Sequence, residues 1–131
     1  MPVLKPEDMH RHFVEAFNAG NIDALLALYE PEAAFITPRG ATRGQAAIRE
    51  AIKEFLALKG TMAAETEYCI QADDVALLRA KWHLTGVGPD GQRIAQNGNS
   101  TEVIRRQPDG RWLCLIDHPL GATSEPSPRA G

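Results

Sequence analysis

Glu102, Asp117 and His118 are the residues whose types and positions could do chemistry. Glu102 stands in Ser100-Thr101-Glu102-Val103-Ile104, where period-two alternation puts it on one face with Ser100 and Ile104. Carried back one strand, that face also holds Ala76, Leu78, Ala80, Trp82 and Leu84, so the carboxyl points toward a core. A lone acid there is costly as an anion and must be protonated, hydrogen-bonded or set at a water-filled cavity. Asp117 and His118 end the apolar run Arg111-Trp-Leu-Cys-Leu-Ile-Asp-His118. A three-residue turn at Pro108-Asp109-Gly110 would set His118 opposite Ser100 and diagonal to Glu102; a four-residue turn would bring Leu115 and Asp117 to that face. Either partner beside Glu102 makes a pair of titratable groups suited to general acid–base work.

The remaining reactive side chains carry less. His10 and His12 are two apart on a helix, cannot share a metal ion, and read as surface residues. His83 alternates with Lys81 and Thr85 on the charged side of its strand. Cys69 and Cys114 lack Cys-x-x-Cys spacing and read as buried free thiols. No metal set and no cofactor motif emerges. Tyr29 and Trp82 are core residues able to wall a pocket.

At 131 residues the chain suffices for one domain with its own core. A net charge of -3 and a pI near 5.8 argue against nucleic-acid or anionic-membrane partners. No apolar run approaches a membrane span, and Met1 to Pro6 has no signal-peptide core, so the expected location is cytoplasmic. The domain is expected over 1–120, with 121–131 a solvated tail.

The elements that must position these groups follow in order. Pro6 to Ala19 predicts a helix with an apolar stripe of Met9, Phe13, Ala16 and Phe17, stopped by Gly20. Asn21 caps a second, running to Leu28 or Tyr29 and ended by Pro31. Ala33 to Thr37 predicts a short strand, Pro38 to Gly44 a loop, and Gln45 to Lys59 a third helix closed by Gly60. A four-stranded meander then turns at Ala72-Asp73-Asp74, Pro89-Asp90-Gly91 and Pro108-Asp109-Gly110. A three-residue first turn sets Glu67 against Arg79 and Glu65 against Lys81; Asn97-Gly98-Asn99 reads as a bulge in one long strand, Arg93 to Gln107. The outer face would hold Leu77, Val103, Leu113 and Leu115 beside Arg79, Lys81 and Arg105, which predicts a homodimer through that face.

The order of elements, with Phe17-Asn18-Ala19-Gly20-Asn21-Ile22-Asp23-Ala24-Leu25, Tyr29-Glu30-Pro31-Glu32-Ala33, Gly44-Gln45-Ala46-Ala47-Ile48-Arg49 and Asp109-Gly110-Arg111-Trp112, resembles the SnoaL-like and ketosteroid-isomerase-like branch of the nuclear transport factor 2-like superfamily over residues 6 to 120. The resemblance implies an α+β, cone-shaped fold, three N-terminal helices on a strongly bent, mostly antiparallel sheet. It implies an apolar small-molecule pocket, walled here by Phe13, Phe17, Tyr29, Phe35, Thr37, Trp82 and Ser100. The isomerases' oxyanion tyrosine falls on Phe13 and their aspartate base on Thr37, so steroid isomerase chemistry is not expected; their hydrogen-bond-donating acid falls on Glu102. In SnoaL-like cyclases an acid reaches the cavity from a late strand, for which Asp117 is the nearest candidate. The expected function is small-molecule binding, with a cofactor-free isomerase, cyclase or lyase using Glu102 and Asp117 or His118 as one reading and a non-catalytic binding or dimerisation module as the other.

Overall fold

The computed structural model describes residues 2–88 and 90–122. Met1, Pro89 of the second meander turn, and residues 123–131 of the expected tail lie outside them. Among the described residues three α-helices, α1 (Met9–Asn18), α2 (Ile22–Leu26) and α3 (Gln45–Leu56), accompany six strands: β1 (Tyr29–Thr37), β2 (Gly40–Arg43), β3 (Thr61–Ala72), β4 (Val75–Val87), β5 (Arg93–Arg106) and β6 (Trp112–His118). The strands form one curved sheet in the order β2-β1-β6-β5-β4-β3, antiparallel throughout except where β1 runs parallel to β6.

The helices cover one face because each carries an apolar stripe. Met9 and Phe17 of α1, Leu25 and Leu26 of α2, and Ile48 and Ile52 of α3 are buried, joined by Leu78, Leu84, Ile104 and Trp112 from the sheet. Asn21 caps α2 by accepting the Ala24 amide at 3.0 Å. The side-chain amide of Gln45 donates to the carbonyls of Leu26, Tyr29 and Glu30, tying the start of α3 to the α2–β1 junction.

The first strand is longer than expected. It begins at Tyr29 and contains Pro31, whose missing N–H falls inside the stretch, Tyr29 to Ala34, where β1–β6 pairing is irregular. The loop after it is a hairpin: Thr37 pairs with Gly40 across Pro38-Arg39, making β2. The third helix closes with Lys59 at φ 53 rather than with Gly60. Gly60 serves close packing instead, since a Cβ there would lie 2.7 Å from the Thr85 carbonyl oxygen.

The meander departs from the expected register in three places. The β3–β4 turn is Asp73-Asp74, Ala72 pairing with Val75, and a bulge between Thr66 and Tyr68 restores the expected Ala64–Trp82 and Glu65–Lys81 pairs. Glu67 still receives Arg79 Nε at 2.9 Å. Pairing of β4 with β5 runs unbroken through Asn97-Gly98-Asn99, so the long strand is present without its bulge. The third departure, in β6, builds the site.

Candidate functional site

Next to the last turn the three-residue geometry holds: Gln107 N donates to the Arg111 carbonyl, and Ile104, Arg105 and Arg106 pair with Cys114, Leu113 and Trp112. Beyond this the register shifts by one, leaving Leu115 as an extra residue, and Glu102 pairs with Asp117 and Thr101 with His118. One inserted residue reverses the alternation, so Trp112 and Cys114 point inward before the bulge and Asp117 after it. The side chains of Glu102 and Asp117 therefore stand next to each other on the core side. His118, on the neighbouring row with Thr101, belongs to the other face.

These two acids open on a cavity of about 80 Å³ between the helices and the inner sheet. Phe13, Phe17, Tyr29, Phe35, Phe55 and Trp82 provide aromatic walls, with Met9, Met62, Ala80, Ser100, Cys114 and Pro119 completing much of the lining. Of the expected pocket residues only Thr37 is missing: its hydroxyl is spent in the β1–β2 turn, donating to the Gly40 carbonyl. Ser100 accepts the Ala80 amide at 3.3 Å and stays buried. Trp82 Nε1 donates to the Pro119 carbonyl at 2.7 Å, holding the chain after β6 against the wall.

Each acid has its own partner. Glu102 Oε1 lies 2.6 Å from His10 Nε2, and His10 Nδ1 lies 2.7 Å from Thr66 Oγ1. Asp117 Oδ2 accepts the Tyr29 hydroxyl at 2.5 Å. Burial, then the charge of Glu102, pushes the Asp117 carboxyl up to about 7, against the opposing pull of the Tyr29 hydrogen bond and of His10. Burial and Asp117 push the Tyr29 phenol well above its ordinary range, and burial does the same to the Cys114 thiol. Tyr29 is thus a fixed donor, Asp117 an acid that can hold or release a proton near neutrality, and Cys114 a spectator.

His10 corrects the reading of both early histidines as surface residues. It is 7% exposed and reaches from the first turn of α1 to β3 and β5. The signal was its distance from the phenylalanines: 10, 13 and 17 follow the spacing of one helical face. The Tyr29–Asp117 contact had no such signal, because it depends on β1 starting four residues early. Cys69 is half-buried and Cys114 buried, both as free thiols. Among the described residues no group of three or more His, Cys, Asp or Glu could hold a metal ion, and no helix is long and apolar enough to cross a membrane.

An α+β domain whose helices close a curved, mostly antiparallel sheet around an apolar pocket defines the nuclear transport factor 2-like class, and the solved structures it resembles agree. A nuclear transport factor 2-like superfamily protein from Salmonella enterica serovar Typhimurium is 20% identical over 95% of this chain and 94% of its own, with TM-score 0.78. A ketosteroid isomerase-like protein from Erwinia carotovora atroseptica is 21% identical over 86% and 89%, with TM-score 0.76. A candidate dehydratase of the same superfamily from Streptomyces avermitilis is 18% identical over 84% and 89%, with TM-score 0.70. Within that class residues 10–114 match the SnoaL-like domain, and the chain belongs to the SnoaL-like family. No curated protein matches it.

Proposed function

We propose that the protein is a cofactor-independent acid–base catalyst of the isomerase, cyclase or lyase kind, acting on a small apolar carbonyl compound. The observation that supports this most is the pairing of two acids with unlike partners on the wall of one apolar cavity: Glu102 with His10, Asp117 with Tyr29. Glu102 takes the proton from the carbon next to the carbonyl. The C–H electron pair becomes the enol double bond, and Asp117, carrying its proton, gives it to the carbonyl oxygen. Tyr29 holds Asp117 in place. Acid–base help of this kind is worth about 10²–10⁴-fold. Phe13 and Thr37 keep steroid isomerisation outside the proposal, since neither supplies the groups those isomerases use.

Acetophenone, whose methyl protons exchange through an enol, is a suitable reporter. Deuterium uptake above the buffer rate, reduced about 10²-fold in Glu102→Gln and in Asp117→Asn, is the expected result. Binding with exchange at the buffer rate would leave the second reading, a non-catalytic pocket, which the loss of the isomerases' tyrosine and aspartate favours.

We also propose that the working unit is a homodimer. On the outer face Ile70, Leu77, Val103 and Ile116 are successive cross-strand partners on β3, β4, β5 and β6, forming one apolar row flanked by the Glu67–Arg79 pair. Ile70 is 58% and Leu77 37% exposed, so the row lies open to a second copy. Leu113, expected in that patch, is buried.

A further inference from the structure

We propose that the cavity selects ligands by charge, accepting neutral oxygen-bearing compounds of about one ring and turning away carboxylates and phosphates as well as ammonium ions. This deepens the function proposed above in one respect only: it concerns what binds, and it holds whether or not turnover follows.

The titratable residues on the wall are His10, Tyr29, Glu102, Cys114 and Asp117; among the described residues no lysine or arginine lines the cavity. His10 is the one group there that could meet an anion, and both its ring nitrogens are committed, Nδ1 to Thr66 Oγ1 at 2.7 Å and Nε2 to Glu102 Oε1 at 2.6 Å. A carboxylate entering the cavity would find no free cation and two acids beside it. An ammonium ion fares no better, because Glu102 is already paired and Asp117, its carboxyl raised by burial, is neutral below about 7. Six aromatic walls could stabilise a cation only weakly against the loss of its water.

A neutral carbonyl or hydroxyl meets none of these costs. Among the described residues no hydrogen bond engages Glu102 Oε2 or Asp117 Oδ1, and the pairing of Glu102 with Asp117 across β5 and β6 puts the two side chains next to each other on the cavity wall. Asp117 can donate to a ligand oxygen, and Glu102 can accept from a hydroxyl or an acidified C–H. The volume sets the scale: at roughly 10–15 Å³ for each water-sized site, 80 Å³ holds about as many heavy atoms as a single substituted ring.

Three probes of one shape test this: acetophenone, benzoate and 1-phenylethylammonium, titrated at about pH 6 with affinities read from amide shifts in the protein's NMR spectrum. Acetophenone should bind at least about tenfold more tightly than either ion, with shifts at Phe13, Trp82 and Asp117. Glu102→Gln removes one of the two acids beside the cavity while keeping the shape, so the disadvantage of benzoate should shrink by about tenfold. Raising the pH past 7 ionises Asp117, and the ammonium probe should then gain on the ketone. Benzoate within about threefold of acetophenone, an ammonium ion that leads at pH 6, or no binding of acetophenone would overturn the proposal. Should the variant fail to fold, the wild-type ratios decide alone. Ketone binding without deuterium exchange would sink the catalytic reading and leave this one standing.

Discussion

Two clusters of buried acid in this molecule receive opposite treatment. On the outer side of the sheet Glu30, 8% exposed, takes a two-pronged contact from Arg105, Nε at 2.8 Å and Nη2 at 2.5 Å, with Gln107 Nε2 at 2.8 Å. The Arg105 hydrogen bonds hold its carboxyl below the usual range against the upward push of burial. On the inner side Asp117, 7% exposed, has a phenol and a neighbouring acid for company, and its carboxyl rises to about 7. Both carboxyls are nearly closed to solvent, but Asp117 lies deeper in the protein, and depth and partner together decide. A carboxylate given a guanidinium becomes a strut, and one denied it keeps a proton to exchange. The strut has a clear task. β6 lies between β1 and β5, so Glu30 and Arg105 join across it, passing the position of Leu113, the cross-strand partner of Arg105.

The difference between the two acids shows most at Asp117. Because its folded-state pKa is raised, the ionised form opposes folding, so stability falls as pH rises from the ordinary carboxylate range to about 7 and stays lower above it. At about 1.4 kcal/mol per unit the ceiling is roughly 4 kcal/mol. Asp117→Asn keeps an acceptor for Tyr29 and cannot ionise, so it should gain stability over wild type at pH 8 and little at pH 4 in urea melts. An equal effect at both would mean that the carboxyl does not titrate high.

The strut gives the converse. Arg105→Ala should destabilise the protein near neutrality by less than the Asp117 ceiling, because the arginine side chain is 47% exposed and solvent screens the contact. The lowered pKa of Glu30 adds stability above the ordinary carboxylate range that is lost as pH falls through the folded value, so the deficit should shrink in acid. A deficit independent of pH would assign Arg105 to packing alone.

A smaller effect tests the outer face itself. Val103→Glu puts a charge in the middle of the apolar row and should shift the protein to monomer in sedimentation at micromolar concentration, with stability changed by under about 1 kcal/mol. A wild-type protein already monomeric there would remove the dimer.

Much of the inner wall was legible in the sequence because strand alternation is local. Ser100, Glu102 and Ile104 point inward as their spacing says, and the glycines after Asp90 and Asp109 take positive φ, 80 and 92 degrees, as those turns require. The choice between Asp117 and His118 was not legible. It turns on an extra residue at Leu115, in a run apolar on both faces, where the sequence pattern is the same with or without it. His10 was misread for a related reason. Its polarity marked it as surface, whereas its helical spacing to Phe13 and Phe17 placed it inside, and only contact with Glu102 and Thr66 resolves the conflict. Glu30, unremarked as an acid, owes its burial to residues 75 and 77 positions away.

The most direct test is a carboxyl ¹³C NMR titration that follows Asp117 and Glu30 in one sample. An Asp117 midpoint near 7 and a Glu30 midpoint below the ordinary range are expected. Since His10 favours the charged form of Asp117, its removal should move the Asp117 midpoint upward. Asp117 titrating with the surface carboxylates, or Glu30 titrating above it, would contradict the division of the two acids into chemistry and strut.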